Sequence, residues 1–344
     1  MFRTETKHGV PLRISDALDD PALVHGFSTR LGGVSPAPWD SLNLDDRRGD
    51  DLANVQENFR RLCAALDVDV QRIVLSRQVH RDDVRTVTAD TLSDGGVLHG
   101  FSTRLGGVSP APWDSLNLDD RRGDDIANVQ ENFRRLCAAL DMDVRRAVLS
   151  RQVHRDDVRV VTAADAGKGL WKPQDYDSAD ALVTDVPGLP LVVFSADCNV
   201  ILLHDPVRRV VGAAHAGWRG TAAGIAGRTV RVMRDTYGCD PADIRAAVGP
   251  AIGQCCFETD SDVPDALRAA LGTETGPYMA WNGRKWHIDL KAVNALWLQK
   301  AGVQHIDICA DCTCCRTDLY WSHRRTGLQR GEQAALIALR EVTP

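Results

Sequence analysis

The chain has 344 residues, 44% hydrophobic and 26% charged, with a formal net charge of −6, all ordinary for a soluble globular protein. The acidic balance argues against a uniformly basic nucleic-acid-binding surface, and no window reaches the roughly 18 consecutive apolar residues that a membrane helix needs. The opening stretch MFRTETKHGVPLRISDALDD has charges where a secretory signal would be apolar, so a cytoplasmic protein is expected, its ten cysteines reduced and available for packing, catalysis or metal ligation.

The first feature along the chain is a duplication. Residues 25–89 and 99–163 are offset by 74 and differ at five of 65 positions: Leu52/Ile126, Val68/Met142, Gln71/Arg145, Ile73/Ala147 and Thr86/Val160. Two copies with no continuing period are not a solenoid. Removing one copy leaves 270 residues, a plausible single domain. Residues 1–98 are therefore expected to form a partial tandem copy, and 99–344 a complete catalytic domain. A fragment of the first copy's size buries too little to be strongly stable alone.

In the second copy, Ile126, Val129, Phe133, Leu136, Cys137 and Leu140 fall on one helical face, with Asp124 or Asp125 as cap. AVLS (147–150) and VRVVT (158–162) read as strands flanking RQVHRDD. Short β-branched runs follow at 179–184, 191–195, 200–204 and 209–216, spaced for antiparallel pairs. A helix is expected from Thr221 to Gly238, a strand at 244–249, and a helix from its cap Asp289 to Gly302. A strand is expected at 305–309, and GEQAALIALREV reads as a last helix. Strands in the middle with helices on either side predict an α+β fold: a layered α/β/β/α-type single domain with mixed sheets, preceded by the duplicated segment.

Three short motifs carry the chemistry: Arg151-Gln-Val-His154, Ala196-Asp-Cys198 and His215-Ala-Gly-Trp-Arg-Gly220. Each places a soft or borderline metal ligand near the predicted end of a strand, and strand ends at one sheet edge can converge. Two imidazoles and one thiolate leave the fourth position of a tetrahedron open, the pattern of a catalytic zinc site, and the same set suits copper. Taken singly, a cysteine after an apolar strand or a histidine such as His215 also fits plain core packing. The turn running from His215 into a helix exposes backbone N–H groups, which with Arg219 or Arg104 would favour an anion. Cys255-Cys256 reads as packing. Cys309, Cys312, Cys314 and Cys315 form CxxCxCC, a motif open to a second zinc, to redox chemistry or to neither, since no matching ligand pair with clean spacing is evident.

The ordered string FSTRLGGVS, WDSLNL, RQVH, ADALVT, GLPLVVFSADC, VGAAHAGWRGT, VGPAIGQCCFE and SHRRTG resembles the laccase-domain family, also called multicopper polyphenol oxidase-like, whose bacterial members include the peptidoglycan editing factor. The resemblance runs from about residue 99 to the C-terminus and again over 25–89. It implies a zinc-dependent purine nucleoside phosphorylase, acting on adenosine, inosine or methylthioadenosine, with adenosine deaminase activity. The family's metal triad falls on His154, Cys198 and His215, with His80 as the duplicate of His154. Arg104, Asn117, Gln152 and Arg219 are the expected substrate and phosphate contacts. Two departures are Val200 where proline is usual and His323 where tyrosine is usual. The expected partners are a purine nucleoside and phosphate, with no nucleic acid and no membrane, and the expected state is a monomer or homodimer.

Three alternatives stay open. A copper-dependent polyphenol oxidase would need many imidazoles, typically His-x-His pairs, and the ten histidines contain none. A hydrolase editing peptidoglycan precursors would use Cys198 as nucleophile. A metal-stabilised binding module would show no turnover.

Overall fold

The computed structural model describes residues 2–18, 20–44, 50–73 and 83–341 and divides into two units, Met1–Gln78 and Val79–Pro344. In the first unit, β1 (Phe2–Lys7), β2 (Val10–Ser15) and β3 (Phe27–Ser28) form an antiparallel sheet in that order. One helix, α1 (Leu52–Ala65), packs Leu62, Ala65 and the adjoining Leu66 against Val10, Leu12, Ile14 and Leu42.

The second unit begins with β4 (Thr86–Val87) and β5 (Val97–Ser102), followed by α2 (Ile126–Ala139). Next come β6 (Val148–Leu149), β7 (Val158–Val160), β8 (Ala181–Thr184), β9 (Leu191–Ser195), β10 (Asn199–Asp205) and β11 (Val210–Ala216). Helices α3 (Trp218–Ala222) and α4 (Ile225–Tyr237) precede β12 (Arg245–Val248), β13 (Glu258–Thr259) and α5 (Asp262–Leu271). The chain closes with β14 (Met279–Trp281), β15 (Trp286–Ile288), α6 (Leu290–Lys300), β16 (His305–Ile308), α7 (His323–Thr326) and β17 (Gln333–Leu339).

Two mixed sheets face each other. One runs β16-β12-β10-β11-β8-β7 and the other β4-β5-β17-β9-β6. Strand alternation assigns each residue its layer. On β10, Val200 and Leu202 join Leu191, Val193 and Ile337 between the sheets, while Ile201 and Leu203 join Val230, Met233 and Leu298 under α4 and α6. The outer face of the five-stranded sheet, with Val192, Phe194 and Leu336, is covered by Val129, Phe133 and Leu136 of α2. The order is thus helix, sheet, sheet, helix, the α+β layering expected from the sequence.

Two expected elements differ. The GEQAALIALREV stretch is not a helix but β17, the central strand of the five-stranded sheet, antiparallel to both β5 and β9. Its alternate residues enter both apolar layers, Ala335 and Ile337 on one side and Ala334 and Leu336 on the other. A strand buried on both faces reads as a continuous apolar run with no period of two. The helix expected from Thr221 is split: α3 ends at Ala222, Gly224 takes φ +78° as N-cap of α4, and Gly238 ends α4 at φ +69°. Asp125 and Asp289 cap their helices by accepting from Ala127 N and Ala292 N.

Candidate metal centre

His154, Cys198 and His215 come together. One ligand atom of each lies within 4.8 Å of the others, and the two imidazoles meet edge to face with centroids 4.8 Å apart. Topology explains the meeting. His215 lies on β11 opposite Val200, so its strand neighbour places it beside the turn that carries Cys198 into β10. His154 follows β6, which runs parallel to β9. Two residues here adopt left-handed backbone, His154 at φ 61° and Asp197 at φ 95°. Non-glycine residues held this way cost on the order of 1–3 kcal/mol each and persist where the surroundings over-determine them.

One buried carboxylate organises both imidazole loops. Asp180, fully buried, accepts from the backbone N–H of Val153 (3.0 Å), His154 (3.0 Å) and Arg155 (3.1 Å), and from His215 Nδ1 at 2.9 Å. Burial works against its ionisation, yet these donors hold it below the usual carboxylate range. The bond to Nδ1 leaves His215 Nε2 free for a ligand, as metal-bound histidines commonly arrange. Burial alone would raise the Cys198 thiol; the charge on His215 and hydrogen bonds from both imidazoles hold it at about 6. Burial alone would lower His215, but the Cys198 thiolate and Asp180 raise it to about 9. Gly217 keeps the approach open, since a Cβ there would sit 2.7 Å from His154 Nδ1 and 3.2 Å from Cys198 Sγ. A thiolate and two orientable imidazoles around a space cleared by glycine fit a zinc-class ion.

The triad lines a cavity of about 300 Å³ with Asp119, Arg121, Arg122, Gln152, Phe194, Ser195, Arg330 and Glu332, at the small end of ligand-site volumes. Of the expected substrate contacts only Gln152 lies on this wall. Its amide is engaged with the Phe194 backbone, accepting from N at 2.6 Å and donating to O at 3.0 Å. Arg104 is elsewhere: it donates to the carbonyls of Asp114 (2.7 Å) and Thr317 (3.1 Å) and stacks on Trp321. Asn117 is fully buried and donates to Asp119 O and Asp124 Oδ2, both at 2.8 Å, a structural role. Arg219 is exposed and stacks on Trp218. His80 lies outside the described residues.

Arg121, Arg122 and Arg330 stand where an anion contact was expected from Arg104 and Arg219. Arg122 pairs with Glu332 at 2.8 Å, Arg121 with Asp119 at 2.7 Å, and Arg330 with Glu332 at 3.1 Å. Three guanidinium groups against two carboxylates leave the wall positive, and burial with the Glu332 charge raises Asp119 above the ordinary carboxylate range, increasing that excess at the margin. An arginine pair inside DDRRGDD reads from sequence as a solvated run, which is why it carried no signal. Asp180 had one: an acid opening a wholly apolar strand must have a partner.

A family-wide sequence profile described as multi-copper polyphenol oxidoreductase laccase matches residues 24–97 and again 98–340. Among curated relatives, the chain is 41% identical over 253 residues to purine nucleoside phosphorylase YlmD of Geobacillus stearothermophilus, covering 72% of this chain and 91% of that protein. It is 41% identical over 243 residues to a purine nucleoside phosphorylase of Deinococcus radiodurans, covering 71% and 89%. The crystal structure of YlmD from Geobacillus stearothermophilus superposes with a TM-score of 0.70 at 38% identity, over 77% of this chain and 98% of that one. No helix among the described residues is long and apolar enough to cross a membrane. With fold, ligand constellation and ordered motifs in agreement, the chain belongs to the multi-copper polyphenol oxidoreductase laccase family, the laccase-domain family.

Proposed function

We propose that the chain is a zinc-dependent purine nucleoside phosphorylase with adenosine deaminase activity. The observation that carries this reading is the open three-ligand set of His154, Cys198 and His215 facing a wall of three arginines across one cavity. His154, Cys198 and His215 would hold the ion, which when bound supplies Lewis acidity and an acidified water at its free position. Arg121, Arg122 and Arg330 bind and orient phosphate toward C1′ of the nucleoside. Arg330 is suited to this because its buried Nε has no hydrogen-bond partner among the described residues. Asp180 keeps His215 in the tautomer that presents Nε2.

The relatives' names, which state a phosphorylase activity, support the same reading. The test is product analysis with adenosine or inosine, with and without phosphate. Ribose 1-phosphate and free base should form only with phosphate, and inosine should form from adenosine in its absence. Base release at an unchanged rate in an inert buffer would overturn the phosphorylase.

The Cys198 thiolate beside a protonated His215 favours a second reading, a cysteine-nucleophile hydrolase. Chelation separates the two: the phosphorylase loses activity with its metal, and a cysteine hydrolase keeps it.

A further inference from the structure

Two loops leave the parallel neighbours β12 and β16 at the same end, where Val248 is paired with Ile308. They stay together, with a bridge between Ala251 and Cys312 and a hydrogen bond from Thr313 N to Ala251 O of 3.1 Å. The first loop carries Cys255 and Cys256, and the second carries Cys312 and Cys315 in a CxxC spacing. Their four sulfurs lie within 4.8 Å of one another. Cys256 Sγ is 3.4 Å and Cys255 Sγ 3.7 Å from Cys315 Sγ. Zinc–sulfur bonds of about 2.3 Å in a tetrahedron separate the sulfurs by roughly 3.8 Å, so the spacing is that of ligands, well beyond the roughly 2.05 Å of a disulfide. All four are free thiols.

We propose that Cys255, Cys256, Cys312 and Cys315 bind a second, structural zinc ion. The ligand pair that the CxxC lacked in sequence is supplied from 56 positions upstream of Cys312, by strand pairing. The surroundings suit a tetrathiolate centre, whose net charge is −2. Gly253 N–H donates to Cys312 Sγ at 3.1 Å, and a Cβ on Gly253 would lie 3.3 Å from Cys255 Sγ. Arg324 donates to the Cys256 carbonyl at 2.9 Å and Arg325 to the Cys314 carbonyl at 3.1 Å, bringing two positive charges to the loops. Four protein ligands leave no open position, so the site is closed and non-catalytic.

Its effect reaches the first centre through Asp197. Thr313, inside the CxxC, donates from Oγ1 to Asp197 Oδ1 at 2.6 Å, and Ile252 N donates to Asp197 O at 2.9 Å. Asp197 is the left-handed residue immediately before Cys198. Both cysteine loops therefore hold the turn that presents the Cys198 thiolate.

The experiment is metal analysis of the full chain purified from zinc-supplemented medium, with intact-mass measurement and cobalt substitution. About two zinc ions per chain are expected, falling to about one in Cys312→Ser/Cys315→Ser and in Cys255→Ser/Cys256→Ser. The Cys198→Ala protein should keep the intense thiolate-to-cobalt charge-transfer absorption of a four-thiolate centre, which in both double variants should fall to the weaker absorption of the single Cys198 thiolate. The second pair is partly exposed, so its loss tests the site even where the first double variant fails to fold. The same zinc count in wild type and in Cys255→Ser/Cys256→Ser, or disulfides among the four thiols in the intact mass, would overturn the proposal. A Cys198→Ala protein that keeps both ions would count against the catalytic metal and leave the structural one standing.

Discussion

The two copies of the repeat share almost every residue, yet their surroundings give them different roles. In both, the FS dipeptide is a strand paired antiparallel with the preceding segment: β3 with β2 in the first unit, β5 with β4 in the second. His25 Nε2 meets Ser15 N at 3.1 Å, and His99 Nε2 meets Ala89 N at 3.0 Å. The difference lies in what covers the helix. Phe133 is fully buried against β9 and β17, whereas its duplicate Phe59 is only partly buried. The tail of the repeat diverges further. Residues 84–89 (VRTVTA) edge the five-stranded sheet through β4, while the matching residues 158–163 (VRVVTA) enter the six-stranded sheet through β7, parallel to β8. Nearly the same six residues serve two sheets, so local propensity does not choose the partner; what remains to be paired does.

The largest test of this contrast is at the ligand. Cys198 and His215 occur once in the sequence and follow the second copy. His154→Ala should therefore lose the catalytic metal and on the order of 10,000-fold in kcat/KM, about 5.5 kcal/mol, while His80→Ala leaves both unchanged. The reverse result would move the centre to the first copy. Next in size, Phe133→Ala should destabilise the second unit by about 3–4 kcal/mol in denaturant unfolding. Phe59→Ala should change stability by about 1 kcal/mol or less, and equal effects would mean that the two helices are equally covered.

A smaller effect follows from a substitution that depends on context. Leu92 is fully buried, and Leu18, at the same point relative to its repeat, is 43% exposed. Leu18→Ala should be silent in the full chain. After deletion of residues 25–98, Val24 joins His99 and residues 10–24 stand where 84–98 stood, so the same change should then cost about 2–3 kcal/mol. The smallest effect is that of the deletion itself: metal content and turnover should stay within about twofold of the full chain, measured by metal analysis and steady-state assay. The turns already match, since Ala22 N donates to Asp20 Oδ1 at 2.8 Å as Gly96 N does to Asp94 Oδ1 at 2.9 Å. A deletion protein that fails to fold would show that 10–24 cannot replace 84–98.

Where a segment's own pattern determined its environment, the sequence was readable. The caps at Asp125 and Asp289 and the strands from β8 to β11 follow from local chemistry, whereas His154, Cys198 and His215 taken singly also fitted core packing and were singled out as a set by the family resemblance. β17 did not, because burial on both faces removes the alternation that marks a strand, and alanine and leucine suit a helix equally. Arg104 and Asn117 were expected at the substrate, but a guanidinium that donates to two loop carbonyls and an amide that closes a buried turn carry the same letters as binding residues. Cys255 and Cys256 looked like packing because their partners lie far along the chain and meet them only through β12 and β16.

The central position of β17 has a consequence for how the molecule forms. This last strand pairs with β5 and β9, contacts that span more than two hundred residues from Phe101 to Ala335. Such distant closures are slow. A nascent chain therefore carries two near-identical helices, and neither can gain the full five-stranded sheet until residues 333–339 have been synthesised. The choice between copies is made late, by a strand that belongs to neither.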